Sequence, residues 1–203
     1  MSWFTREKPG KRVPLDEQLR ILRSCGVDLA TGVDATALTS SLEPAQFEAD
    51  PFRLALTMMG NEAEHDGQGG LSGFLSDDIW HFDTECIEGD GSYATIAARL
   101  VTLAKGDFPL ESIQDHVDIE GGNAWLGFRL DGKSHRLEAE VQDDWVDTTV
   151  LSRLAALLRE RSGDGRRFTY IDLGGQDCLI GCATPDQKAQ MQKQTGLDVG
   201  WLD

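Results

Sequence analysis

What this sequence lacks narrows its chemistry early. No apolar run approaches the ~20 residues of a membrane span. The opening Met-Ser-Trp-Phe-Thr-Arg-Glu-Lys-Pro-Gly-Lys-Arg carries charges but no apolar stretch of the kind a signal peptide needs. Neither H-x-x-x-H nor C-x-x-C occurs, so the usual pairs of zinc ligands are missing. Gly174-Gly175-Gln176-Asp177 has neither the spacing of a phosphate-binding loop nor its following Lys-Ser/Thr. No repeat with a period of roughly 20–50 residues and no low-complexity tract is visible. Cysteine is sparse: Cys25, Cys86, Cys178 and Cys182 are scattered through apolar contexts, which points to reduced, mostly buried thiols and not a disulfide framework. Together these features predict a cytoplasmic protein without a cofactor.

Positive charge is also scarce. Against 35 Asp and Glu stand 19 Lys and Arg, a formal net charge of −16. Such a balance argues against nucleic acid or an anionic membrane as partner, because both are bound by neutralising phosphates. It suits a basic partner, or serves solubility alone. With 203 residues and 40% hydrophobic composition, the chain has enough apolar material for a core without disulfide or metal staples.

The clearest local signal is Asn123 to Val141. Two alternating runs flank Asp131-Gly132, the dipeptide of a type I′ hairpin turn, which needs positive φ at both central residues. Ala124, Leu126, Phe128 and Leu130 share one face, as do Leu137, Ala139 and Val141, while Arg136, Glu138 and Glu140 point the other way. Ile113 to Ile119 predicts a third strand, making a meander across Gly121-Gly122. Ile79 to Ile87 reads as a strand with Trp80, Phe82, Thr84 and Cys86 on one face and His81, Asp83 and Glu85 on the other. Phe168–Leu173 and Cys178–Ala183 are two more, and Leu197–Leu202 suits an edge strand.

Helices are predicted after Gly91-Ser92 (Tyr93, Ile96, Ala97, Leu100, Leu103, Ala104), after the cap Asp147 (Val150, Leu151, Leu154, Leu157, Leu158), and from Thr184-Pro185 to Gly196. The first part of the chain predicts three short helices: from Leu15 to Gly26, after Asp34, and from Pro51 to Gly60. Trp3 and Phe4 could dock on the body, and the Gly- and Glu-rich stretch 61–73 reads as an exposed loop. The expected organisation is a helical N-terminal region over 1–73 and an α+β domain over 74–203. Consecutive hairpins with few crossovers predict α+β with a mostly antiparallel sheet and helices packed on one face.

Three constellations could carry function. His81, Asp83 and Glu85 offer metal-ligand chemistry on one strand face. Cys178 offers a thiol, but in a strand-like context without a base or an oxyanion motif. The acids form patches: Asp77, Asp78, Asp83, Glu85, Glu88 and Asp90 around one strand; Asp115, Asp118 and Glu120 in the meander; Glu138, Glu140, Asp143, Asp144 and Asp147 beyond it. If these segments neighbour each other, they make a docking platform for a basic protein. On that expectation the contact residues are Asp83, Glu85, Glu138, Glu140 and Asp144, with Trp125 and Trp145 as anchors.

Val13-Pro14-Leu15, Trp80-His-Phe-Asp-Thr-Glu-Cys-Ile-Glu88, Asp143-Asp-Trp-Val-Asp147 and Gly174-Gly-Gln-Asp-Cys-Leu-Ile-Gly181 give the chain a character that resembles small acidic bacterial immunity proteins of polymorphic toxin systems. The resemblance is one of type and carries no residue-by-residue motif. It implies a non-enzymatic protein that neutralises a cognate toxin domain, encoded next door, by stoichiometric binding. The alternatives from the residues are a metal-assisted hydrolase using His81, Asp83 and Glu85, and a regulatory or scaffold domain acting through the N-terminal helices and the 61–73 loop.

Overall fold

The computed structural model describes residues 12–40, 42–62 and 73–203. Trp3, Phe4 and most of the 61–73 stretch lie outside them. The elements in chain order are α1 (Leu15–Ser24), α2 (Ala35–Leu38), α3 (Pro44–Ala49), α4 (Arg53–Met59), β1 (Ile79–Asp83), α5 (Ser92–Leu103), β2 (Glu111–Asp118), β3 (Asn123–Leu130), β4 (Lys133–Ala139), α6 (Thr148–Arg161), β5 (Arg167–Gly174), β6 (Asp177–Ala183), α7 (Pro185–Thr195) and β7 (Gly200–Trp201). The fold is α+β with antiparallel pairing throughout. Its strands divide into two sheets, one in the order β1-β6-β5-β7 and the other the meander β2-β3-β4. No helix among the described residues is long and apolar enough to cross a membrane.

The hairpin forms as the sequence predicts. Asp131 and Gly132 have φ of 51° and 75°, and Leu126 pairs with Leu137 on the face that buries Ala124, Leu126, Phe128 and Leu130. That face packs with α5 and α6 against Trp80, Phe82, Phe168, Cys178 and Ile180 of the larger sheet. The alternate residues Ile79, Ile171 and Leu179 point the other way, into a second core with Leu22, Leu38, Phe47, Leu56 and Met191. The four-stranded sheet therefore carries helices on both faces, and residues on either side of Gly73 share this second core. A strand sealed on both faces loses its polar–apolar alternation, which is why Cys178-Leu-Ile-Gly-Cys182 reads as a continuous apolar run.

Among its described residues the N-terminal region holds four short helices where the sequence predicts three. The additional one, α3, starts with Pro44 and a capping box in which Glu43 and Gln46 bond each other's backbone N–H. A glutamate in the cap position is an unusual start signal, so the helix is hard to see in the sequence. The last helix of this region begins at Arg53, after Phe52 adopts φ of 68°. On the other side of the sheet, buried Arg99 of α5 donates to the Ser76 and Ile79 carbonyls, both at 2.7 Å, and lies 3.6 Å from the Phe74 ring centroid. Burial lowers its pKa to about 10 against the pull of Asp77, Asp78 and Glu62, so it stays charged at neutral pH. It ties the entry of β1 to α5.

Candidate functional site: an acidic corner beside an aromatic cleft

Strand β1 ends at Asp83, and the chain leaves the sheet along a path fixed by backbone hydrogen bonds. Thr84 donates its N–H and its hydroxyl to the Gln176 carbonyl, at 3.1 and 2.9 Å. Its own carbonyl accepts from Val146 N at 2.8 Å, and Ile87 N donates to the Asp144 carbonyl at 2.9 Å. Between these bonds Glu85 and Trp145 form an antiparallel bridge. Two acidic segments far apart in sequence, around 84–87 and 142–146, are stitched together in this way.

Trp145 closes a tight turn in which its N–H donates to the Gln142 carbonyl at 3.1 Å and Asp143 takes φ of 58°. The turn pushes the indole outward. At 42% exposure Trp145 stands with Ile119 (36%) as an exposed large hydrophobic residue among those described. The exposed side chains of Glu85, Asp143 and Asp144 belong to the same corner. Its negative field is felt by Cys86: burial first, then Asp83, Asp144 and Glu88, push that thiol up to about 11.

Beside the corner lies an open cleft of about 620 Å³ between the end of β1 and the start of α5. Its lining includes Trp80, Phe82, Cys86 and Ile96, with Asp83, Glu88 and Asp90 as its acids. The Trp80 and Phe82 rings are 4.4 Å apart, tilted at 44°. Asp83 is anchored by Glu85 N at 2.8 Å and Gln176 Nε2 at 3.2 Å. Asp90 accepts from Val117 N at 2.7 Å and faces His116 Nδ1 at 3.1 Å. The exposed N–H groups that open α5 do not present a free positive end, because Asp115 reaches across from β2 to accept from Gly91 N at 2.7 Å and Ala94 N at 3.0 Å.

Of the seven expected contact residues, Asp83, Glu85, Asp144 and Trp145 are drawn together here. Glu140 adjoins the corner through its N–H, which donates to Asp147 Oδ2 at 2.9 Å. Trp125 and Glu138 pair across β3 and β4 on the outer face of the meander, where Arg136 covers the Trp125 ring at 4.3 Å and bonds Glu138 at 2.6 Å. They form a separate, charge-balanced patch. Several other acids serve the architecture as caps and turn acceptors: Asp34 on α2, Asp115 on α5, Asp147 on α6, and Asp118 in the β2–β3 turn. Glu88 and the aromatic floor were absent from the expected contact set, although the acid pair Glu88 and Asp90 was visible as part of a patch.

The metal-ligand constellation does not assemble. Alternation along a strand cannot align Glu85 with His81 and Asp83, because β1 stops at Asp83 and Glu85 pairs with Trp145 instead. His81 is engaged at both ring nitrogens, with Asn61 Oδ1 at 2.7 Å and Asp177 Oδ1 at 3.1 Å. Among the described residues no three His, Cys, Asp or Glu side chains are grouped to hold an ion. Cys178 is buried within the sheet, and burial above all pushes it and Cys182 up to about 12, so both are thiols and not thiolates at neutral pH.

Asp147 provides a pH-dependent test of the corner's scaffold. Burial alone would raise its pKa, but hydrogen bonds from Glu140 N and Thr149 N outweigh this and hold it below the usual carboxylate range. A carboxylate depressed in the folded state stabilises the fold above its unfolded pKa, and that contribution is lost as pH falls through the folded value. Asp147→Ala is therefore expected to cost about 1–2 kcal/mol in urea unfolding at neutral pH. The gap to the parent protein should close progressively below the unfolded pKa, and a gap that does not change with pH would contradict the assignment.

Against protein-family models, curated proteins and solved structures, the chain shows no significant match to any.

Proposed function

We propose that this protein binds a basic protein partner stoichiometrically in the cytoplasm and neutralises it by occlusion, the partner being a toxin domain as the immunity-type resemblance implies. The observation that carries this reading is the exposed Trp145 set among Glu85, Asp143 and Asp144 on a backbone-stitched corner. A tryptophan ringed by like charges has the make-up of an interface hot spot: the ring supplies buried apolar area on docking, and the carboxylates steer a cationic surface toward it. The chain's excess of acids over bases extends that steering field.

Co-expression with the product of the adjacent gene tests it. The expected result is an equimolar complex and relief of toxicity. Trp145→Ala should weaken the complex by about 2 kcal/mol, roughly thirtyfold in Kd, while Trp125→Ala on the outer meander face changes little. A neighbour that is harmless alone, or stays toxic with this protein present, would overturn the reading.

A further inference from the structure

We infer that the cleft between β1 and α5 is a socket for an arginine side chain of a partner protein. The inference rests on the proposed binding of a basic protein and adds the chemical group that enters. The cleft joins two features that a guanidinium uses and few other groups use together. Its floor is apolar: Trp80, at 8% exposure, offers the accessible aromatic surface, beside the nearly sealed Phe82 and Ile96. Its rim is acidic, from Asp83, Glu88 and Asp90. Arginine stacks its planar head on aromatic faces and bonds carboxylates through a fork of donors, and its alkyl stem suits an apolar wall.

Charge decides the sign of the occupant. A cleft at the start of a helix would ordinarily favour an anion, but Asp115 already bonds the Gly91 and Ala94 N–H groups there. What remains facing the cleft is net negative, and the Cys86 thiol on its wall feels that field from Asp83, Asp144 and Glu88. The rim carboxylates differ in readiness. Asp83 and Asp90 are oriented by bonds to the protein, whereas the exposed Glu88 side chain makes no hydrogen bond or ion pair with the described residues. Glu88 is thus the group left to close over an incoming guanidinium, and the cleft lies next to Trp145, so one partner surface can reach both.

The test uses N-acetyl-arginine N-methylamide as a stand-in for an arginine within a chain, titrated into the full-length protein and followed by two-dimensional amide NMR. Saturable shifts are expected at Cys86, Gly89, Gly91 and the Trp80 indole. The lysine analogue should bind more weakly, and the neutral citrulline analogue should give no shifts there. Glu88→Gln, at an exposed position that leaves the fold intact, should weaken the arginine probe about tenfold, and Glu138→Gln on the far face should not. Absence of saturable shifts at these positions, equal shifts with citrulline, or much tighter binding of free arginine than of the blocked form would each overturn the socket. None of these outcomes bears on whether the adjacent gene product is neutralised, so this inference and the broader function can fail separately.

Discussion

Gly60→Ala is expected to lower the unfolding free energy by about 3 kcal/mol, a fall of roughly 6–12 °C in Tm for a protein of this size. Gly60 ends α4 with an ordinary φ of −78°, so its role is not conformational freedom. A Cβ there would lie 2.3 Å from His81 N and 2.8 Å from the Trp80 carbonyl carbon. Both are backbone atoms of β1, held on the far side by pairing with β6, where His81 opposes Leu179. Neither can rotate away as a side chain would.

Relief requires α4 to withdraw from the sheet. That would break the His81 N to Gly60 carbonyl bond of 3.0 Å and loosen Leu56 and Met59 in the second core. Gly163→Ala is the control, since nothing stands within 4 Å of that position; it should stay within about 0.5 kcal/mol of the parent. Equal stability of the two variants in urea and heat would refute the close approach.

Gln18→Met should cost a similar amount, about 3 kcal/mol, although it preserves side-chain volume in a fully buried position. Gln18 lies at 0% exposure on α1 and uses both ends of its amide. The Nε2 group donates to the Val13 carbonyl at 2.7 Å and the Phe47 carbonyl at 2.9 Å, and Oε1 accepts from Phe52 N at 2.7 Å. One side chain thus satisfies backbone groups before α1, in α3 and at the start of α4.

The third of these bonds has a particular cost attached. Phe52 is a bulky residue at φ of 68°, a conformation disfavoured by about 1 kcal/mol or more and retained only where the surroundings hold it. Removing the amide strands two buried polar groups and a half-buried one, and frees a strained residue. Gln18→Glu should be at least as damaging, because a carboxylate cannot donate to the two carbonyls. Chemical denaturation of both variants checks this, and a methionine variant as stable as the parent would show that the amide is dispensable.

Much of the local structure is legible from residue order. Asp131-Gly132 announces its turn because few residues tolerate positive φ at both positions, and Asp147 and Thr184 announce their helices because a short oxygen-bearing side chain can bond the free N–H groups of a first turn. The stripes on α5 and α6 are buried where their spacing places them, except that Leu157 at the edge of the α6 stripe is half-buried. Gln18 is different. Its neighbours Leu15, Leu19 and Leu22 reveal the inward face, but nothing local indicates that a polar residue beside them is sealed and triply bonded. The candidate site is half legible in the same sense. Acids crowd around Asp83 and around Asp144 in the sequence, yet Trp125 and Glu138 carry the same composition and lie on another face.

By itself the sequence determined the identity of most elements, the sign of the surface charge, and the face that each strand of the meander buries. These depend on φ preferences and periodicities that act within a few residues. Only the tertiary structure decided that the strands split into two sheets, that Glu85 meets Trp145, and that the aromatic face of β1 opens into a cleft at the start of α5. Backbone pairing between distant segments is chosen by how the whole chain buries its apolar surface, and no short window of sequence contains that choice.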